Sequence, residues 1–176
     1  MTTPRPLTGE PLGIDLLNTT WIAGGQAEDQ LADLPGTRAW LDEVDIACPA
    51  TEQARAALLV ARDAIRAHAE HPRSGSARAA LNAVLRWGSS WPALGAHGVV
   101  IESATEDPAA LAGWLAAVNY TELLAATPDR IRRCAHPDCV LYFLDISARG
   151  SRRWCSMTVC GNRAKAARHY ARVRSS

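Results

Sequence analysis

Apolar and polar positions repeat with a helical period over most of the first two thirds of this chain. After Pro35-Gly36 the run TRAWLDEV sets Trp40, Leu41 and Val44 on one face. Thr51 is a natural cap for a long helix reaching about Glu70, because its hydroxyl can accept a first-turn N–H. Along that helix Ala54, Ala57, Leu58, Ala61, Ile65 and His68 recur at three- and four-residue steps, and His71-Pro72 stops it. Ser76 is expected to cap a third helix carrying Ala80, Leu81, Val84 and Leu85, which ends near Gly88. Residues 91–94 and 99–103 read as two short strands of a small hairpin around a turn at 95–98. Asp107-Pro108 starts a helix to about Ala126. That helix is apolar nearly all round, with Leu111, Trp114, Leu115, Val118, Tyr120, Leu123 and Leu124, which predicts burial.

The pattern changes after Arg130. In VLYFLDIS, Leu141, Phe143 and Asp145 share one face of a strand, and Ala148-Arg149-Gly150 makes a turn. Arg152-Arg153-Trp154 leads back, and the run after Cys160, GNRAKAARHYARVR, has helical composition. The predicted fold is mainly α with a small β hairpin over residues 1–129, followed by a short module over 130–176.

Composition adds the next constraint. Of 176 residues, 48% are hydrophobic and 21% charged, which excludes general disorder. No apolar run approaches the roughly 20 residues of a membrane helix, and the N-terminus lacks the basic-then-apolar pattern of a signal peptide. A cytoplasmic protein without a membrane partner is expected. The net charge of +1 argues against a nucleic-acid partner until it is divided along the chain. Residues 1–129 hold 8 arginines against 16 carboxylates, net −8, whereas 130–176 hold 11 cations against Asp138 and Asp145, net +9.

Four of the five cysteines fall in the basic module, as Cys134-x4-Cys139 and Cys155-x4-Cys160. Two such pairs can each fold as a knuckle and turn four thiolates on one ion. Soft sulfur ligands select zinc, or iron of the rubredoxin kind, over magnesium or calcium. His136 is an alternative to one of the cysteines. Four ligands leave no open position for water, so the ion is structural. Knuckle, hairpin and a helix carrying the last ligands near its start make a treble-clef-like zinc finger. On that helix Lys165, Arg168, His169 and Arg172 share a face, while Arg149, Arg152 and Arg153 add charge from the turn. Four thiolates with one zinc contribute −2, so the module stays near +7, a density that a phosphate backbone would relieve.

Elsewhere the chemistry is sparse. Gly24-Gly25 is not a phosphate loop, and His68, His71 and His97 lack partners at metal spacing. Cys48 stands alone. Asn18, beside Leu16 and Leu17, is expected to cap or brace the first helix. No activated nucleophile or acid–base pair is present, so no enzyme is expected.

The stretch CAHPDC followed by FLDISARGSRRWCSMTVCGNRAKAARHYAR resembles the CGNR zinc finger, whose name motif stands here as Cys160-Gly161-Asn162-Arg163. In that family the finger follows an ABATE-type domain. GIDLLNTT at 13–20 resembles the opening motif of that domain, and LLVARDAIRAH, with Arg62 and Arg66, resembles its long helix. Trp21 departs from the aliphatic residue expected there. The resemblance implies a bacterial transcription regulator, with some members linked to stress.

Two functions follow as expectations. In the first, the zinc module binds DNA through Arg149, Arg152, Arg153, Arg163, Lys165, Arg168, His169 and Arg172. The N-terminal unit then forms a homodimer or senses a small-molecule effector, with Asn18, Trp21 and Arg62 as the candidate pocket. In the second, the basic module meets RNA or an acidic protein, or is masked by its own acidic N-terminal unit.

Overall fold

A computed structural model describes residues 4–166. Helix α1 (Leu12–Leu17) leads into strands β1 (Thr20–Ala23) and β2 (Gln26–Asp29). Helices α2 (Leu34–Glu43), α3 (Glu52–Glu70) and α4 (Gly75–Leu85) follow, then the hairpin β3 (Gly88–Gly95) and β4 (Gly98–Thr105). A 3-10 turn, Pro108–Ala110, opens onto α5 (Leu111–Ala126), and β5 (Ile131–Arg133) and β6 (Tyr142–Leu144) complete the regular strands. All three sheets are antiparallel pairs, β1–β2, β3–β4 and β5–β6. The mainly α expectation holds.

Capping chemistry sets the helix starts. Thr51 Oγ1 accepts the Ala54 N–H at 3.1 Å, and Asp33 Oδ1 accepts the Gly36 N–H at 2.8 Å with Pro35 in the first turn. Asp107 Oδ1 accepts from Ala109 at 3.0 Å. The third helix is capped by Ser74, whose Oγ accepts the Ala77 N–H at 3.3 Å; Ser76 lies inside the first turn and bonds to the Ser74 hydroxyl. The buried face carries Ala77, Leu81 and Val84, and Ala80 is exposed.

The pair β1–β2 is absent from the sequence reading. Its strands have four residues each, too few to alternate visibly. Gly24 and Gly25 take φ of +57° and +83°, the left-handed values a tight hairpin turn demands. Hairpin β3–β4 is also longer than expected, with eight residues on each strand.

Helix α5 packs against α1, α3 and α4. It buries its small residues, Ala112, Gly113, Ala116 and Ala117, with Trp114 and Tyr120, while Leu111, Leu115, Val118, Leu123 and Leu124 are half-buried. Small residues permit close approach: a Cβ added to Gly13 of α1 would lie 2.6 Å from the Ala116 carbonyl oxygen. Contrary to the sequence expectation, the 19-residue stretch Pro108–Ala126 is long and apolar enough to cross a membrane. It packs against α1, α3 and α4 as the central helix of the folded unit.

Two apolar clusters meet at β6. The larger holds Ile14, Leu16, Leu17, Trp40, Leu58, Ile65 and Tyr120 together with Tyr142. The smaller holds Leu141, Phe143, Trp21 and the four module cysteines. Strand alternation therefore sends Tyr142 into the helical core and its neighbours into the cysteine cluster. Fully buried Asn18 joins the two: its Oδ1 accepts the Tyr142 N–H and its Nδ2 donates to the Tyr142 carbonyl, both at 2.9 Å. Glu10 Oε2 accepts the Leu144 N–H at 2.8 Å, and burial raises the pKa of this carboxyl.

The expected hairpin between the cysteine pairs takes a different form. β6 pairs with β5 across the first knuckle, and residues 151–154 after the turn form no strand. Asp145 governs this route. Its carboxylate accepts the Ser147 N–H and O–H at 3.0 and 2.6 Å and the Arg152 N–H at 3.0 Å, which folds the segment after β6 into a turn, while its backbone N–H donates to the Arg130 carbonyl at 2.8 Å.

Replacing Asn18 by Ala strands a buried N–H and C=O on Tyr142. Chemical denaturation of Asn18→Ala should show a loss on the order of 3 kcal/mol. A loss within the noise of a surface substitution would remove Asn18 from this role.

Candidate metal centre and basic face

The first knuckle hangs between β5 and β6. Cys134 N–H donates to the Leu141 carbonyl at 2.8 Å, and Cys139 N–H to the His136 carbonyl at 3.0 Å, which closes the turn around Pro137. The second knuckle is a wide helical turn, Met157–Gly161, running into helix at 162–166. Ser156 caps it, with Oγ accepting the Val159 N–H at 3.4 Å. The Cys155 N–H lies 3.4 Å from the Cys134 sulfur, so the second knuckle is tied to the first.

All four sulfurs are buried and lie within 4.8 Å of one another. Cys139 and Cys155 are 3.7 Å apart, and Cys155 and Cys160 3.6 Å. A tetrahedron of Zn–S bonds of about 2.3 Å has sulfur–sulfur edges of about 3.8 Å. The thiols are free, not paired in disulfides. His136 is not part of the group; its Nδ1 accepts the Asp138 N–H at 3.3 Å.

The thiols also titrate as a crowded set. Hydrogen bonding from Cys155 brings Cys139 down to about 5. Its partner Cys155 is pushed up because its proton is held by that bond, and burial pushes Cys160 up to about 12. One negative charge is therefore favoured and further ones are opposed until a cation balances them. A soft dication fits that demand, and its binding releases protons. Trp21 lies in the same cluster, 4% exposed, and its buried indole N–H has no partner among the described residues. The residue that departs from the expected aliphatic is thus the one packed with the sulfurs.

A family model described as "Putative stress-induced transcription regulator" matches residues 10–127. The chain belongs to this ABATE family. A second model, the CGNR zinc finger, matches residues 130–173. A comparison with curated proteins finds no match. The ABATE chain thus carries a zinc finger with one structural zinc ion, for which the clustered thiols are the fitting donors.

Around this finger the cations divide into two groups. Arg149, Arg153, Arg163 and Lys165 are exposed, and none has an acidic partner among the described residues. The Arg153 guanidinium lies over the Trp154 ring at 5.2 Å. Arg152 is different. It donates to the Cys155 and Trp154 carbonyls at 2.5 and 3.0 Å, lies 4.3 Å over the Phe143 ring and sits 3.9 Å from Glu10. Its charge is spent on bracing the second knuckle and linking it to the helical unit. Arg168, His169 and Arg172 lie outside the described residues.

The residues expected to line an effector pocket do not all line the same one. Asn18 uses its amide on Tyr142, and Arg62 makes a bidentate pair with Asp29 at 2.6 and 2.7 Å while bonding Thr19 Oγ1 at 2.8 Å. Burial raises the Asp29 pKa, but the Arg62 hydrogen bond and charge outweigh it and leave it lowered. Trp21 and Arg62 border a depression of about 250 Å³ that Asn18 does not reach, and Trp21 also lines a larger cavity of about 460 Å³ beside the cysteines. Arg66 donates to Thr20 Oγ1 at 2.6 Å and to the Leu17 carbonyl at 3.0 Å, so both arginines of the long helix hold the segment after α1. Glu10 and Tyr142, which dock the finger, were missed: a lone Glu and a strand Tyr carry no spacing signal.

Cys155→Ser should lower bound zinc from one equivalent to none in metal analysis of the purified chain, whereas Cys48→Ser, outside the sulfur group, should retain it. Full zinc retention in the Cys155 variant would assign the ion elsewhere.

Proposed function

We propose that this chain is a DNA-binding transcription regulator of the cytoplasm in which residues 1–129 form a dimerising acidic unit and 130–176 the DNA-contacting basic module. The observation that carries this reading is the exposed cation set Arg149, Arg153, Arg163 and Lys165 beside the sulfur cluster, without acidic partners among the described residues. Cys134, Cys139, Cys155 and Cys160 are the proposed zinc ligands. Zinc, when bound, supplies rigidity to a module too small to bury a core of its own.

The cations divide by task. Arg163 and Lys165, immediately after the second knuckle, and Arg149 and Arg153, around the turn, are free to meet phosphate oxygens, and guanidinium groups suit bidentate contact. Arg168, His169 and Arg172 extend this set by sequence spacing. Arg152 is assigned to positioning: it holds the Cys155 carbonyl and does not reach DNA. Masking by the acidic unit finds little support, since Arg152–Glu10 is the ion pair between the two segments among the described residues.

If about five phosphates are neutralised, log affinity for duplex DNA should fall with log salt at a slope near −4.5. Arg163→Ala with Lys165→Ala should flatten that slope by about 2 while zinc content holds. Arg152→Ala should instead loosen the zinc and leave the slope unchanged. Fluorescence anisotropy across a salt series reads all three. Salt-insensitive binding, or stronger retention on RNA than on duplex DNA, would favour the RNA or protein-interaction reading.

A further inference from the structure

Hairpin β3–β4 presents to solvent what the rest of the fold hides. Leu94 is 90% exposed, Val99 70% and Ile101 67%, with Val100 and Trp91 also open. A two-stranded ribbon alone is marginal in water, and a contiguous apolar patch of this kind on a folded chain marks a contact surface.

The ladder shows which edge is open. Gly95 pairs with Gly98, Leu94 with Val99, Ala93 with Val100 and Pro92 with Ile101. Antiparallel pairs alternate between hydrogen-bonded and non-bonded. Pro92 has no N–H, so Pro92–Ile101 is a non-bonded pair and its backbone groups point outward. By the same alternation Val99 and Ser103 also turn their N–H and C=O groups to the outer edge of β4. The β3 edge is interrupted by the proline, which guards it against pairing. The β4 edge has no such guard: over Gly98-Val99-Val100-Ile101 it carries neither proline nor charge.

We infer that the open edge of β4 pairs with β4 of a second copy of this chain, antiparallel about a two-fold axis, making one four-stranded sheet. The charge pattern selects this occupant. Between residues 88 and 105 the one carboxylate is Glu102, and the Trp91 indole N–H holds it at 3.2 Å. A nearly neutral strand meets its own copy without repulsion. An anionic lipid surface would face the net −8 of residues 1–129. A basic partner would find one carboxylate on the hairpin. An antiparallel strand is also complementary to itself, as a two-fold interface requires. Standard dimers bury roughly 800 Å² per partner, and the open side chains of Val99, Val100 and Ile101 lie on the strand whose edge would make that contact.

This inference names the surface of the dimerisation proposed above and does not depend on DNA contact. The full-length zinc-loaded chain should sediment at twice its 18.9 kDa. Val99→Lys and Ile101→Pro, each acting on the outward edge, should weaken association by roughly tenfold or more with unchanged circular dichroism and zinc content. Val99→Thr should remain dimeric. In the unaltered chain the amides of Val99, Ile101 and Ser103 should gain exchange protection as concentration rises, which tests the edge without any variant. A monomer at about 100 µM overturns both the dimer and its surface. A dimer indifferent to both substitutions, with those amides unprotected, overturns the surface alone and places the dimer contact elsewhere.

Discussion

Strand β6 has no face turned to water, and the rest of the structure is arranged around that fact. Tyr142 enters the helical core, and Leu141 and Phe143 line the cysteine cluster on the other side. A backbone buried on both faces must satisfy its hydrogen bonds within the protein. β5 supplies one side of the ladder, while the Asn18 amide and the Glu10 carboxylate supply the other. Asn18 stands in for a strand: one side chain offers the donor and acceptor that a neighbouring residue would. Helix α1 is held in turn, since the Asp15 carboxylate in its first turn takes the Trp40 indole N–H and Arg5.

The cysteine cluster gains its shape from the same arrangement. Its ligands come from two short turns with few contacts of their own, so their approach depends on what lies beneath them. Phe143 and Trp21 provide the floor, Asp145 sets the path of the connecting turn, and Arg152 grips the second knuckle by its carbonyls. Asp145 and Arg152 spend their polar capacity inside the protein. Four thiols at this spacing then favour a soft cation, because the negative charge of more than one thiolate needs compensation in a buried site.

Arginine shows how one residue type divides by environment. Arg62 and Arg66 brace the segment after α1, Arg5 pairs with Asp15 and Glu43, and Arg152 clamps the finger. Arg149, Arg153 and Arg163 have no such partner among the described residues and face solvent. Only the second group is available to an outside anion. Charge counting along the chain finds the asymmetry of −8 and +9 but treats every arginine alike.

By itself, the sequence determined the features whose physics is local. Helix periodicity, the caps at Thr51 and Asp107 and the stop at His71-Pro72 depend on residues within a few positions of one another. The four-cysteine spacing and the CGNR motif are equally local, because knuckle geometry and thiolate chemistry leave few alternatives. Tertiary structure decided what depends on distant partners. Asn18 was legible as a bracing residue, but its partner, 124 residues away, was not. Trp21 was legible as an anomaly, and only packing placed it with the sulfurs. The short β1–β2 pair, the route set by Asp145 and the split among the arginines share one cause: each is settled by which groups remain unsatisfied after the chain has folded, and periodicity and spacing do not record that.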